Sequence, residues 1–147
     1  MKETENIKEI SALNPDYLGF IFWEKSKRNM TLDSIPELLE TTKKVGVFVD
    51  ASIQEIAAKI NQYQLDIIQL HGNESVIFCK NVKKFSVEVI KVFSIDSTFN
   101  FSVVKEYVLA VDYFLFDTKG KLPGGNGITF DWNVLENYHF NVPYFLS

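Results

Sequence analysis

Short apolar segments that carry no polar face recur along this chain at intervals of 20 to 29 residues, beginning at about positions 17, 44, 67, 87, 113 and 142. The stretches between several of them repeat apolar residues at helical spacing. A strand that is apolar on both sides is buried on both sides, and strands joined through amphipathic helices pair in parallel by right-handed crossovers. No two-residue hairpin turn interrupts the series. The chain is therefore expected to be an α/β protein with about six parallel strands. With 147 residues, 46% of them apolar and 14% aromatic, it has material for one core, and residues 1–147 are read as a single domain.

The strands are expected at Tyr17–Phe22, Lys44–Val49, Ile67–Leu70, Val87–Phe93, Tyr113–Phe116 and Val142–Leu146. Helices are expected over Thr4–Leu13, which Asn14-Pro15 ends, and over Ser34–Thr41 with Pro36 in its first turn. Ser52 and Glu55 form a capping-box pattern opening a helix whose inner face is Ile53, Ile56, Ala57 and Ile60. Further helices are read at Ser75–Lys83, near Phe101–Tyr107, and at Trp132–Tyr138 behind an Asp131 cap.

The composition also bounds function. A formal charge of −4 with interspersed signs leaves no basic stripe for nucleic acid, and no apolar run approaches the roughly 18 residues that span a bilayer. The charged N-terminus does not resemble a signal peptide, and a lone cysteine forms no internal disulfide, so the expected compartment is the cytoplasm. No His/Cys/Asp/Glu set has metal-ligand spacing and no phosphate-binding glycine pattern has the required context, so neither metal nor cofactor is implied.

The segment Tyr113 to Trp132 carries the chemistry. Its apolar run ends on Asp117, and Gly120, Gly124, Gly125 and Gly127 then put four glycines into eight residues, which suits a loop that closes over a ligand. Phe116-Asp-Thr118, Gly124-Gly-Asn-Gly127 and Phe130-Asp-Trp132 resemble in order and spacing the signature of the phosphoribosylanthranilate isomerase family of tryptophan biosynthesis. The resemblance extends to Asp16-Tyr-Leu-Gly-Phe-Ile-Phe22, Lys25-Ser-Lys-Arg28, Lys44-Val-Gly-Val-Phe-Val49, Gln69-Leu-His-Gly72 and Pro143-Tyr-Phe-Leu-Ser147, over nearly the whole chain.

That family implies a (β/α)8 TIM barrel whose active site lies at the carboxyl ends of the strands. It also implies the substrate, a phosphosugar-anthranilate conjugate that undergoes an Amadori rearrangement to an aminoketose. Asp117 matches the general acid, suited to the role if an apolar setting holds its carboxyl near neutrality. Arg28 matches the arginine that pairs with the anthranilate carboxylate, although Glu24, Lys27 and Asn29 replace the two prolines and the tyrosine usual there. His71 is expected in the pocket wall, and Lys119, Gly124, Gly125 and Gly127 in the lid.

Relative to the family, the first and eighth strands lack counterparts, and with them the cysteine base and the phosphate-binding amides. The chain is thus expected to form an incomplete barrel, nearly inactive by itself. The alternative is a non-catalytic barrel fragment or assembly module that pairs through open strand edges into homo-oligomers. An open sheet of another phosphosugar or nucleotide protein is a third reading, against which the six motifs weigh. Cys79 is read as an apolar filler inside a helix, His139 as structural, Asp50 and Asp131 as caps, and Asp112 as belonging to the stability face.

Overall fold

The apolar segments assemble, in a computed structural model, into one parallel sheet whose strands follow chain order. The structure describes residues 1–118 and 132–147. Its elements are α1 (Thr4–Ser11), β1 (Tyr17–Ile21), β2 (Lys43–Phe48), α2 (Ile53–Tyr63), β3 (Ile67–Leu70), α3 (Val76–Lys83), β4 (Glu88–Ile95), β5 (Tyr113–Thr118) and β6 (Tyr144–Leu146). Short 3-10 segments cover Phe101–Tyr107 and Trp132–Asn137.

Alternation along each strand sorts the side chains onto two faces. Phe20, Phe48, Ile68, Leu70, Val89, Phe114 and Phe116 face outward and pack with Ile7, Ile56, Cys79 and Val82 of the helices. Val45, Ile67 and Ile90 face inward and form a second cluster with Tyr113, Leu115 and Phe145. The sheet curls far enough that Tyr17 of β1 and Phe145 of β6 meet edge to face, with ring centroids 5.5 Å apart, although these two strands do not pair. Six parallel strands thus form a partial barrel around a narrow interior.

The helix starts follow from local chemistry. Ser52 and Ser75 sit in extended conformation, and each hydroxyl accepts the amide hydrogen three residues on, from Glu55 and Phe78. At the other end of α2, Gln64 adopts the left-handed conformation, at φ 52°.

Residues 34–41, expected to be helical, are irregular. The segment is too short to nucleate without a cap, and the threonines at its end bond elsewhere: Thr41 donates to the Asn14 side chain and Thr42 to the Pro15 carbonyl. These bonds make it a strap beneath β1. The expected helices near 101–107 and 132–138 wind in the tighter 3-10 form, and β5 continues two residues past Phe116, so that Asp117 lies within the strand.

Candidate active site

The carboxyl ends of β2 to β5 frame the site. Asp117 faces inward from β5, opposite Ser94 of β4, and is only 4% exposed. His71 follows β3 directly, its amide held by the Phe48 carbonyl at 2.8 Å. The His71 Nε2 lies 3.5 Å from Asp117 Oδ2, beyond a hydrogen bond but in direct electrostatic contact, and Nε2 has no hydrogen-bond partner among the described residues. The other ring nitrogen, Nδ1, is 3.4 Å from the side-chain amide nitrogen of Gln69. With that amide donating, the ring proton sits on Nε2 and points at the carboxylate.

Burial holds the His71 pKa below the usual histidine value, and the nearby Lys91 cation adds to the lowering, while Asp117 and Glu74 oppose it. The imidazole is therefore neutral at pH 7. His71 lines a cavity of about 490 Å³ together with Asp50, Gly72, Glu74, Lys91, Ser94 and Tyr107. Asp117 stands one side chain behind this lining, reached through His71.

A second charged pair lies next to the first. Lys91 and Glu74 approach to 3.0 Å with both side chains almost wholly buried. Lys91 Nζ also donates to the carbonyls of Gly72 at 2.7 Å and Val92 at 3.2 Å, and lies 3.3 Å from that of Leu70. The Glu74 carboxylate accepts the amide hydrogens of Gly72 and Asp50, both at 3.0 Å. Asp50, left-handed at φ 49°, in turn accepts the Asn73 amide hydrogen at 2.6 Å. It was expected to cap the helix at Ser52; instead it ties the end of β2 to the turn after β3.

The structure brings together His71 and Asp117, both expected just past strand ends, the first directly after β3 and the second within the last two residues of β5. The sequence reading missed Lys91 and Glu74. The signal was available: Lys91 sits in the run Val89-Ile-Lys-Val-Phe93, and a lysine buried there requires a counter-charge. Arg28 lies apart, exposed in the loop after β1 with its backbone amide bonded to Ser26 Oγ, and no described contact joins it to His71 or Asp117. The lid candidates Lys119, Gly124, Gly125 and Gly127, and the Asp131 cap, lie outside the described residues.

Cys79 is fully buried in α3, and burial pushes its thiol up to about 11, which suits an inert filler. Asp112 accepts from Lys83 and from the Val89 amide at the opposite end of the sheet, as expected of the stability face. Among the described residues no group of three or more His, Cys, Asp or Glu could hold a metal ion, and no helix is long and apolar enough to cross a membrane.

The family model described as N-(5'phosphoribosyl)anthranilate (PRA) isomerase matches residues 1–147. An N-(5'-phosphoribosyl)anthranilate isomerase of Parabacteroides distasonis is 42% identical over all of this chain and 69% of its own length, and that of Phocaeicola vulgatus is 40% identical over 71% of its length. Among solved structures, the phosphoribosyl anthranilate isomerase of Thermotoga maritima superposes with a TM-score of 0.81 at 28% identity, covering all of this chain and 73% of that one. A Thermus thermophilus enzyme of the same name shares the fold at a TM-score of 0.80 and 23% identity, over 99% of this chain and 72% of that one.

Proposed function

Because the chain belongs to the phosphoribosylanthranilate isomerase family, we propose that it serves the family's reaction with Asp117 as the general acid and His71 as its neighbour. The reaction turns N-(5'-phosphoribosyl)anthranilate into 1-(2-carboxyphenylamino)-1-deoxyribulose 5-phosphate. One observation carries the assignment: a buried carboxyl and a partly buried neutral imidazole that lines the cavity meet 3.5 Å apart where β3 and β5 end.

In this reading Asp117 gives its proton to the ring oxygen of the ribosylamine. The ring C1–O bond breaks and the nitrogen lone pair forms the iminium. Loss of the C2 proton to a base then yields an enolamine, which becomes the aminoketose. His71 presents its Nε2 proton to the carboxylate left on Asp117, so the negative charge is created beside a donor already in place. Cys79 is not offered as the base, since its buried thiol is held protonated.

Arg28 is proposed as the anchor for the anthranilate carboxylate, on the strength of an exposed planar guanidinium in the loop after β1. Lys119, Gly124, Gly125 and Gly127 are proposed as the closing loop, on their sequence pattern alone. One solved relative, at 20% identity and a TM-score of 0.62, is a complex with reduced 1-(o-carboxyphenylamino)-1-deoxyribulose 5-phosphate, and the same class of phosphosugar-anthranilate ligand is proposed here. A cytosolic location belongs to the same proposal and rests on the free, reduced Cys79.

The test is Asp117→Asn, assayed by the loss of anthranilate fluorescence and by binding of the reduced product analogue. Turnover is expected to fall by about 10²- to 10⁴-fold while the analogue still binds. Measurable turnover by the unsubstituted protein that Asp117→Asn leaves unchanged, or loss of analogue binding in that variant, would remove Asp117 from the role of general acid.

A second reading, association of copies through the sheet edges, is supported by exposed Tyr17, Tyr144 and Leu146 on the edge strands β1 and β6. Light scattering over a range of concentrations decides it: a mass of one chain throughout would reject the association.

A further inference from the structure

We infer that the buried Lys91–Glu74 pair is a positioning device for the isomerisation, a clamp that holds the turn after β3 so that the His71 ring faces Asp117. The inference rests on the proposed reaction but names residues outside it. Neither side chain touches His71 or Asp117 by a described hydrogen bond; both act through the backbone on either side of His71.

The geometry shows how. Lys91 holds the carbonyls of Leu70 and Gly72, the residues immediately before and after His71, and Glu74 takes the Gly72 amide. The turn is thereby fixed on both sides of the imidazole. The same carboxylate takes the Asp50 amide, and Lys91 reaches the Val92 carbonyl, so the ends of β2 and β3 and the middle of β4 share one knot. Tyr107 closes it by donating from its hydroxyl to the Glu74 carbonyl at 3.1 Å.

A purely stabilising role would not need charge here. A buried ion pair is often no more stabilising than well-packed apolar residues of similar volume, because desolvating two charges offsets their attraction. What the charges supply is geometry: an ammonium has three donors to distribute over fixed acceptors, and a carboxylate can receive two amides and a cation together. They also reach the imidazole electrostatically, Lys91 opposing a second positive charge and Glu74 and Asp117 favouring one.

The experiment is nitrogen-15 NMR of histidine-labelled protein, with His71 told from His139 by His139→Gln. In the unsubstituted protein His71 is expected as a single neutral tautomer protonated on Nε2, titrating below the ordinary histidine value. Lys91→Met should shift that titration upward and Glu74→Gln should shift it downward, and each should replace the single tautomer by a mixture. Steady-state kinetics should show up to about a 100-fold loss in kcat with little change in KM.

A wild-type ring protonated on Nδ1 overturns the inference, and so does either variant folding with an unchanged His71 spectrum. Should Lys91→Met not fold, the direction of the Glu74→Gln shift decides alone. The proposed reaction fails separately: His71 would then respond to the clamp as described while Asp117→Asn left turnover unaltered.

Discussion

The two ends of the strands hold the same kinds of ion pair at nearly the same distances, yet in opposite surroundings. At the amino ends, Lys43 meets Glu88 at 3.0 Å and Lys83 meets Asp112 at 2.8 Å, with every side chain a third or more open to water or close to it. At the carboxyl ends, Lys91 meets Glu74 at 3.0 Å with both side chains nearly closed to water. Distance does not distinguish them; the dielectric does. In water such a pair is screened and contributes little, whereas in the interior each charge depends on its partner. The amino ends are built to be soluble and to cap backbone groups, and the carboxyl ends are built to hold a fixed charge pattern.

Breaking the comparison at its strongest point means removing one buried charge. Lys91→Met leaves the buried Glu74 carboxylate without its counter-charge, and chemical denaturation should report a loss of about 3–5 kcal/mol. A smaller loss would mean that water reaches the pair. Next comes Asp112→Ala, which removes the partner of Lys83 and the acceptor for the Val89 amide. A loss of about 1–3 kcal/mol is expected, with His71 and its titration unmoved, because the change lies at the other end of the sheet.

The pH dependence sharpens the contrast. The folded His71 binds its proton less readily than the unfolded chain, so the unfolded state carries more protons once the pH drops toward and below the ordinary histidine value of 6.5. Stability attributable to His71 is therefore complete above that value and declines as the pH falls from it toward the lower folded value. Compared by thermal melts across this window, His71→Gln should lose stability less steeply than the unsubstituted protein. Parallel curves would show that the imidazole is solvated. The smallest effect is expected from Lys43→Met, whose exposed pair with Glu88 should contribute less than about 1 kcal/mol and weaken in salt.

The strand order and the helix starts at Ser52 and Ser75 were legible in the sequence because each rests on local chemistry: an apolar run, a hydroxyl three residues before an amide. Asp117 was legible because it ends such a run next to glycines, and His71 because it follows one. The irregular strap over residues 34–41 was not, since its threonine bonds reach residues 27 positions earlier, to Asn14 and Pro15. The clamp was hidden for a related reason. Lys91 and Glu74 are 17 residues apart, and nothing local to either says that a loop and a strand will bring them together. The left-handed turn at Asp50 likewise depends on acceptors and donors supplied by the turn after β3.

One glycine makes the clamp inflexible. A Cβ on Gly72 would meet the Asp50 carboxylate and lie 2.6 Å from the Asp50 nitrogen, whose hydrogen already belongs to Glu74. Positions 50, 72, 74 and 91 therefore form one mechanical unit, in which each side chain occupies space or bonds that the others leave to it. A larger side chain at position 72 would have to displace Asp50 and with it the amide that Glu74 holds, so the turn beside His71 has less room to adjust than the exposed pairs at the far end of the strands.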